Sequence, residues 1–94
     1  EVSPYFEKVA TESKSGNDVF AFACVYALAS TAAKDRKELS DQYASNAIRL
    51  LGRAQKLNYF ESLKTQKRLF DDPDLQGLRG HPEFKKLTSE FKIQ

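Results

Sequence analysis

Residues Val19 to Ala33 form one apolar run rich in small side chains, Val-Phe-Ala-Phe-Ala-Cys-Val-Tyr-Ala-Leu-Ala-Ser-Thr-Ala-Ala. Its length, its alanines and the absence of turn residues inside it predict a helix rather than a strand. It falls short of the roughly 20 residues a membrane helix needs, and Ser30 and Thr31 dilute it. A helix apolar on nearly every side has to be covered on more than one side, so it is expected at the centre of the domain, from about Asp18 to Lys34.

A second segment, Glu38–Leu57, has clear helical periodicity. Tyr43, Ala47, Leu50, Leu51, Ala54 and Leu57 fall on one stripe, with Asp41, Ser45, Arg49 and Arg53 facing away. The helix is expected to start at Glu38 or just after Ser40, which would cap it with Leu39 stapling against Ala44. Asn58 follows as a left-handed C-terminal residue. The charged link 34–37 is short, so the two long helices form an antiparallel hairpin, and small residues on both let them approach closely.

Shorter elements flank the hairpin. Ser3-Pro4 reads as a cap and first helical residue, opening an amphipathic helix near Pro4–Lys14 that carries Tyr5, Phe6, Val9 and Ala10 on one face. Ser15-Gly16 ends it, and Asn17 or Asp18 caps the central helix. A weaker helix from Tyr59 to about Leu69 is anchored by Phe60, Leu63, Leu69 and Phe70. Asp72-Pro73 opens a turn that buries Leu75 and Leu78 before Gly80. His81-Pro82 opens another, with Phe84, Leu87 and Phe91 on one face. The whole of 1–94 is a single all-α domain of four to six helices. The chain begins at Glu1 without methionine, and a piece of a larger multidomain protein is expected.

Composition narrows the function. Fifteen Lys and Arg against thirteen Asp and Glu leave a net charge of +2, scattered along the chain, which argues against nucleic acid as a partner. The one cysteine, Cys24, reads as a small buried hydrophobe. Asp71, Asp72 and Asp74 lack the spacing and glycine of a calcium loop and read as helix caps. His81 has no Ser, Cys or Asp at a catalytic spacing and reads as a turn residue. Arg79 is expected to bond helix-end carbonyls and Asp74 rather than a ligand carboxylate. No cofactor, metal or catalytic constellation is implied.

Repeat arithmetic adds a family reading. Phe22-Ala23 with Tyr26, and Ala47 with Leu51 and Ala54, match the two helices of a tetratricopeptide repeat, stretched by about one and a half turns on each side of the link. More closely, the segment Phe22 to Ala29, the alanine-bearing helix Tyr43 to Leu51, and Asp72-Pro73-Asp74-Leu75, Leu78-Arg79, Pro82, Phe84 and Leu87 occur in that order. Together they resemble a tetratricopeptide-like region found at the C-terminal end of planctomycete-type bacterial serine/threonine protein kinases. The resemblance covers about Phe20 to Phe91. It implies a tetratricopeptide-like antiparallel hairpin with short flanking and capping helices, acting as a non-catalytic interaction or scaffolding module of a bacterial signalling protein. The Gly-rich loop, strand lysine and metal-binding motif of a kinase are not in these 94 residues, so any kinase domain would precede Glu1.

By that alignment Phe20, Cys24, Ala27 and Leu28 line a protein- or peptide-binding groove, unless the first helix covers them through Phe6 and Val9. The alternatives are a purely structural cap that ends a longer helical array and a small ligand-binding bundle with a polar cavity near Tyr26, Tyr43 and His81. The cytoplasm is the expected compartment, or the outside of the cell if the parent protein carries a membrane helix upstream.

Overall fold

The computed structural model describes residues 4–89. The cap expected of Ser3, the side chain of Tyr5 and the anchor expected of Phe91 lie outside the described residues. The architecture is all-α. Helices α1 (Pro4–Glu12), α2 (Gly16–Ala32) and α3 (Lys37–Lys56) come first. A 3₁₀ turn (Tyr59–Glu61), α4 (Leu63–Asp71), a second 3₁₀ turn (Pro73–Leu78) and α5 (Pro82–Thr88) follow, and no strand occurs among the described residues.

The two long helices pack against each other along their length and run antiparallel. At one end Ser30 of α2 bonds Ser40 of α3. At the other, Arg53 Nη2 of α3 donates to the Ser13 carbonyl, just before α2, at 2.7 Å. That contact turns Arg53 inward, where the periodicity had it facing away. Ala23 and Ala27 of α2, with Ala44, Ala47 and Ala54 of α3, are fully buried. Side chains this small bring the two backbones close and leave Leu50, Leu51 and Tyr26 to fill the remaining space.

The helix ends follow local chemistry, with two corrections to the sequence reading. Ser15, not Asn17 or Asp18, caps α2, its hydroxyl accepting from the Asp18 amide at 3.2 Å. Ser40 caps nothing. The third helix already starts at Lys37 behind an Arg36 with no side-chain cap, and Ser40 sits inside the first turn. Leu39 is therefore helical and does not act as a staple. At the far end Asn58 takes φ 67° and ψ 23°, the left-handed conformation expected of it, and the chain turns away.

The C-terminal half wraps back over the hairpin. Thr65 Oγ1 and Gln66 Nε2 donate to the Tyr59 and Phe60 carbonyls at 2.6 and 2.7 Å, locking the first 3₁₀ turn onto α4. Asp72 caps the second 3₁₀ turn, its Oδ1 accepting from the Asp74 amide at 2.9 Å. Arg79 Nη2 holds the other side of that turn through the Asp72 carbonyl at 3.1 Å. Leu69, Leu75, Leu78 and Phe84 enter the core. Leu63 and Phe70, both expected as anchors, are instead exposed. With α4 beginning only at Leu63, their helical positions point outward while Leu69 points in.

Two glycines mark where these elements touch α2. A Cβ on Gly16 would stand 2.8 Å from Tyr59 Cβ, and one on Gly77 would stand 2.6 Å from Thr31 Oγ1. Both distances are below ordinary contact, so side-chain-free backbone is what lets the turns seat so closely.

Candidate functional site

The sequence places Phe20, Cys24, Ala27 and Leu28 in one groove, and the structure divides them. Phe20, Cys24 and Ala27 are buried, while Leu28 is 49% exposed. Their cover comes from the C-terminal elements rather than from α1. The Phe20 ring stacks on Tyr59 at 5.1 Å and meets Phe60 edge-on at 6.0 Å. The Arg68 guanidinium lies 4.5 Å from its centroid and reaches the Tyr59 hydroxyl at 2.5 Å. Aromatic stacking and a cation over the ring face hold this lid by geometry as well as by area. Helix α1 packs elsewhere, Phe6 meeting Phe22 at 5.0 Å and Tyr26 at 5.6 Å, and Val9 remains on the surface.

What stays open is the side of α2 turned away from α3, next to the lid. Ala21, Val25, Leu28 and Ala32 are exposed and follow one another by four, three and four residues. That spacing is one helical stripe. Val25 and Leu28, at its middle, are 43% and 49% exposed. Phe22 and Ala29, half-buried, widen it. Toward the C-terminal end the stripe runs into an open depression of about 420 Å³ lined by Ala29, Ala32, Ala33, Arg36, Leu39 and Tyr43. Three alanines, a leucine and a tyrosine share the lining with Arg36, so its surface is mixed.

Sequence reasoning missed this stripe because α2 is apolar all round, so periodicity could not say which side would be covered. Only the long-range packing of residues 59–78 decides it. The spacing from Ala21 to Ala32 was the signal, and it becomes meaningful once the other faces are taken.

Among the described residues, the two titratable groups with clear shifts lie in the core. Burial pushes the Cys24 thiol up to about 12, helped by the Asp72 and Asp74 carboxylates. The three potential ligand atoms of Cys24, Asp72 and Asp74 lie within 4.8 Å of one another. Asp72 is already committed to its turn through Oδ1, and its Oδ2 lies 3.9 Å from Arg68. The thiol is thus a neutral group facing two acceptors. The Tyr26 hydroxyl is raised by burial first and by the Glu7 carboxylate next, and it is buried with no hydrogen-bond partner. His81 sits at the cap position of α5 without a side-chain cap bond, its amide donating to the Leu78 carbonyl at 2.9 Å.

No helix among the described residues is long and apolar enough to cross a membrane. No family model matches the chain, and neither does any curated protein or solved structure.

Proposed function

We propose that this domain is a non-catalytic protein–protein interaction module that offers the outward face of α2 to a protein partner. The observation that carries the reading is the Val25–Leu28 stripe, the exposed apolar side of an otherwise packed central helix. An apolar helical face beside an open depression fits helix-in-groove recognition, read by anchors at helical spacing. The groove first assigned to Phe20, Cys24 and Ala27 is occupied by the chain itself, so of the four predicted residues only Leu28 belongs to the proposed surface. The resemblance of Phe22–Ala29 and Asp72–Leu87 to the C-terminal region of bacterial serine/threonine kinases supports a signalling context. In that reading a kinase domain precedes this one in the cytoplasm, and this module docks or scaffolds.

A photo-crosslinking residue placed at Leu28 in the parent protein tests the assignment, with the same residue at the exposed Gln76 as control. Protein adducts at Leu28 and not at Gln76 are the expected result. Equal or absent adducts at both positions sink the reading.

A second reading is a structural cap that ends a longer helical array. The burial of Phe20, Cys24 and Ala27 under the C-terminal elements favours it, since a terminal unit must seal its own apolar face. The same experiment separates the two: a cap gives crosslinks from Leu28 only to other parts of its own chain.

A further inference from the structure

The geometry points to a binding site for a small apolar carboxylate, a free straight-chain acid, where α2 ends and α3 begins. This goes beyond the interaction reading and does not rest on it.

Helix α3 opens without a side-chain cap. The Arg36 amide donates to the Ala33 carbonyl, and the Ser40 amide to the Arg36 carbonyl. The amides of Lys37, Glu38 and Leu39 lie between them and have no acceptor among the described residues. The end of α2 does not compete for them, since the Ala29, Ser30 and Thr31 carbonyls already accept from Ala33 and Lys34.

Two depressions meet at this helix start and share Arg36 and Leu39. Lys37 and Glu38 line the second with opposite charges. Lys34 and Asp35, both exposed on the link, offset each other as well. Arg36 is left as the excess charge. Its guanidinium is exposed and enters no ion pair among the described residues, where the ion pairs are Lys37–Asp41 and Arg68–Asp72.

Tyr43 adds an independent sign of a ligand. It is more than nine-tenths buried, at 8% exposure, and lines the first depression. Its hydroxyl has no hydrogen bond among the described residues and, unlike that of Tyr26, is not sealed from solvent. Helical side chains lean toward the helix N-terminus, so Tyr43 leans toward Leu39 and the free amides.

A carboxylate suits these donors together: amides at a helix start, a guanidinium and a phenol. Ala29, Ala32, Ala33 and Leu39 offer walls without a polar side chain, which fits an alkyl chain. A peptide ending in a carboxylate would press its own backbone amides against the same walls and leave them unpaired. The volume of about 420 Å³ accommodates one small ligand.

Octanoate titrated into the isotope-labelled chain, followed by amide chemical shifts, tests the site. Saturable shifts of the Lys37, Glu38 and Leu39 amides are expected, with a dissociation constant below about 1 mM. Acetate, which lacks the chain, and octanol, which lacks the charge, should each bind at least about tenfold more weakly. Arg36→Gln and Tyr43→Phe should each weaken octanoate about tenfold with helicity unchanged. Octanoate that fails to saturate by about 10 mM overturns the proposal, and so does binding that either variant leaves intact. Octanol binding as tightly as octanoate overturns it too, by reducing the contact to apolar association. The free-acid source is overturned if an acetylated Ala-Leu-Ala-Leu peptide with a free C-terminal carboxylate binds more tightly than octanoate. Crosslinking at Leu28 is read separately, so failure here and failure of the interaction reading are distinguishable.

Discussion

Ser30 and Ser40 each donate a hydroxyl hydrogen bond to the other's backbone carbonyl, at 2.8 Å in both directions. Their hydroxyl oxygens stand 3.0 Å apart. Each hydroxyl has one proton and gives it to a carbonyl, so the pair is a reciprocal clasp rather than a chain. The Ser30 carbonyl belongs to the last turn of α2, where it also accepts from the Ala33 amide at 3.2 Å, and the Ser40 hydroxyl fills its second lone pair.

The clasp joins the two long helices beside their link, so its removal is expected to register as lost stability. Ser30→Ala and Ser40→Ala should each cost about 1 kcal/mol, less what alanine returns in helix propensity. The double variant should show a coupling of about 0.5 kcal/mol, since the two bonds share one geometry. Urea unfolding of the four proteins measures this. A double variant as stable as the parent would mean that the clasp contributes nothing.

Gly77 is expected to resist the substitution that most often stabilises a helix. Replacing glycine by alanine usually gains about 0.4–1 kcal/mol where the backbone allows it. Here the new methyl meets Thr31 Oγ1 at 2.6 Å, and Thr31 can swing away only by giving up its bond to the Ala27 carbonyl. Gly77→Ala should therefore cost about 1–2 kcal/mol. Adding Thr31→Ala should recover most of it, because the next Thr31 atom is 4.0 Å away. Thermal melts of the single and double variants decide the matter.

Tyr26→Phe should leave the protein as stable or make it more so, by up to about 1 kcal/mol. The ring packs against Phe6 and Tyr43, while its buried hydroxyl has no partner. The ring itself matters, and Tyr26→Ala should cost about 3–5 kcal/mol. A clear loss on Tyr26→Phe, seen in the same unfolding experiment, would show that the hydroxyl is satisfied in solution.

Cys24 should be inert to thiol reagents while the domain is folded. With its thiol held up to about 12, the thiolate fraction at neutral pH is about a thousandfold below that of an ordinary cysteine. Labelling with an aromatic disulfide at pH 8 should track global unfolding and become fast in denaturant. Rapid labelling of the folded chain would contradict the burial. The same shift sets a pH dependence. Below the unfolded value of 9.0 both states hold the proton and the contribution is fully present. Between there and about 12 the unfolded chain loses its proton first, so stability falls as pH rises.

Much of the backbone plan is legible in the residues. The stripe of α3 has a single apolar side, so Tyr43, Ala47, Leu50, Leu51 and Ala54 identify themselves. Asn58 and Asp72 act through local geometry and need no tertiary context. Other features depend on contacts that span the chain. Ser15 could be passed over because three neighbouring residues cap helices equally well. Leu63 and Phe70 are anchors by composition, but a helix starting at Leu63 turns them outward. The lid over Phe20 joins residues some forty positions apart, and no local pattern encodes which side of α2 it will choose.

That lid changes what a usable fragment of this protein is. Tyr59, Phe60 and Arg68 fill the place beside Phe20 that a helical hairpin could otherwise lend to a visitor. The polypeptide thus supplies its own guest, and the guest is synthesised only after both long helices. A chain cut after Lys56 would keep both long helices and yet carry Phe20, Cys24 and Ala27 bare to water. Anything that loosens residues 59–78, from a protease to a competing apolar segment, would uncover a second adhesive side on the same helix.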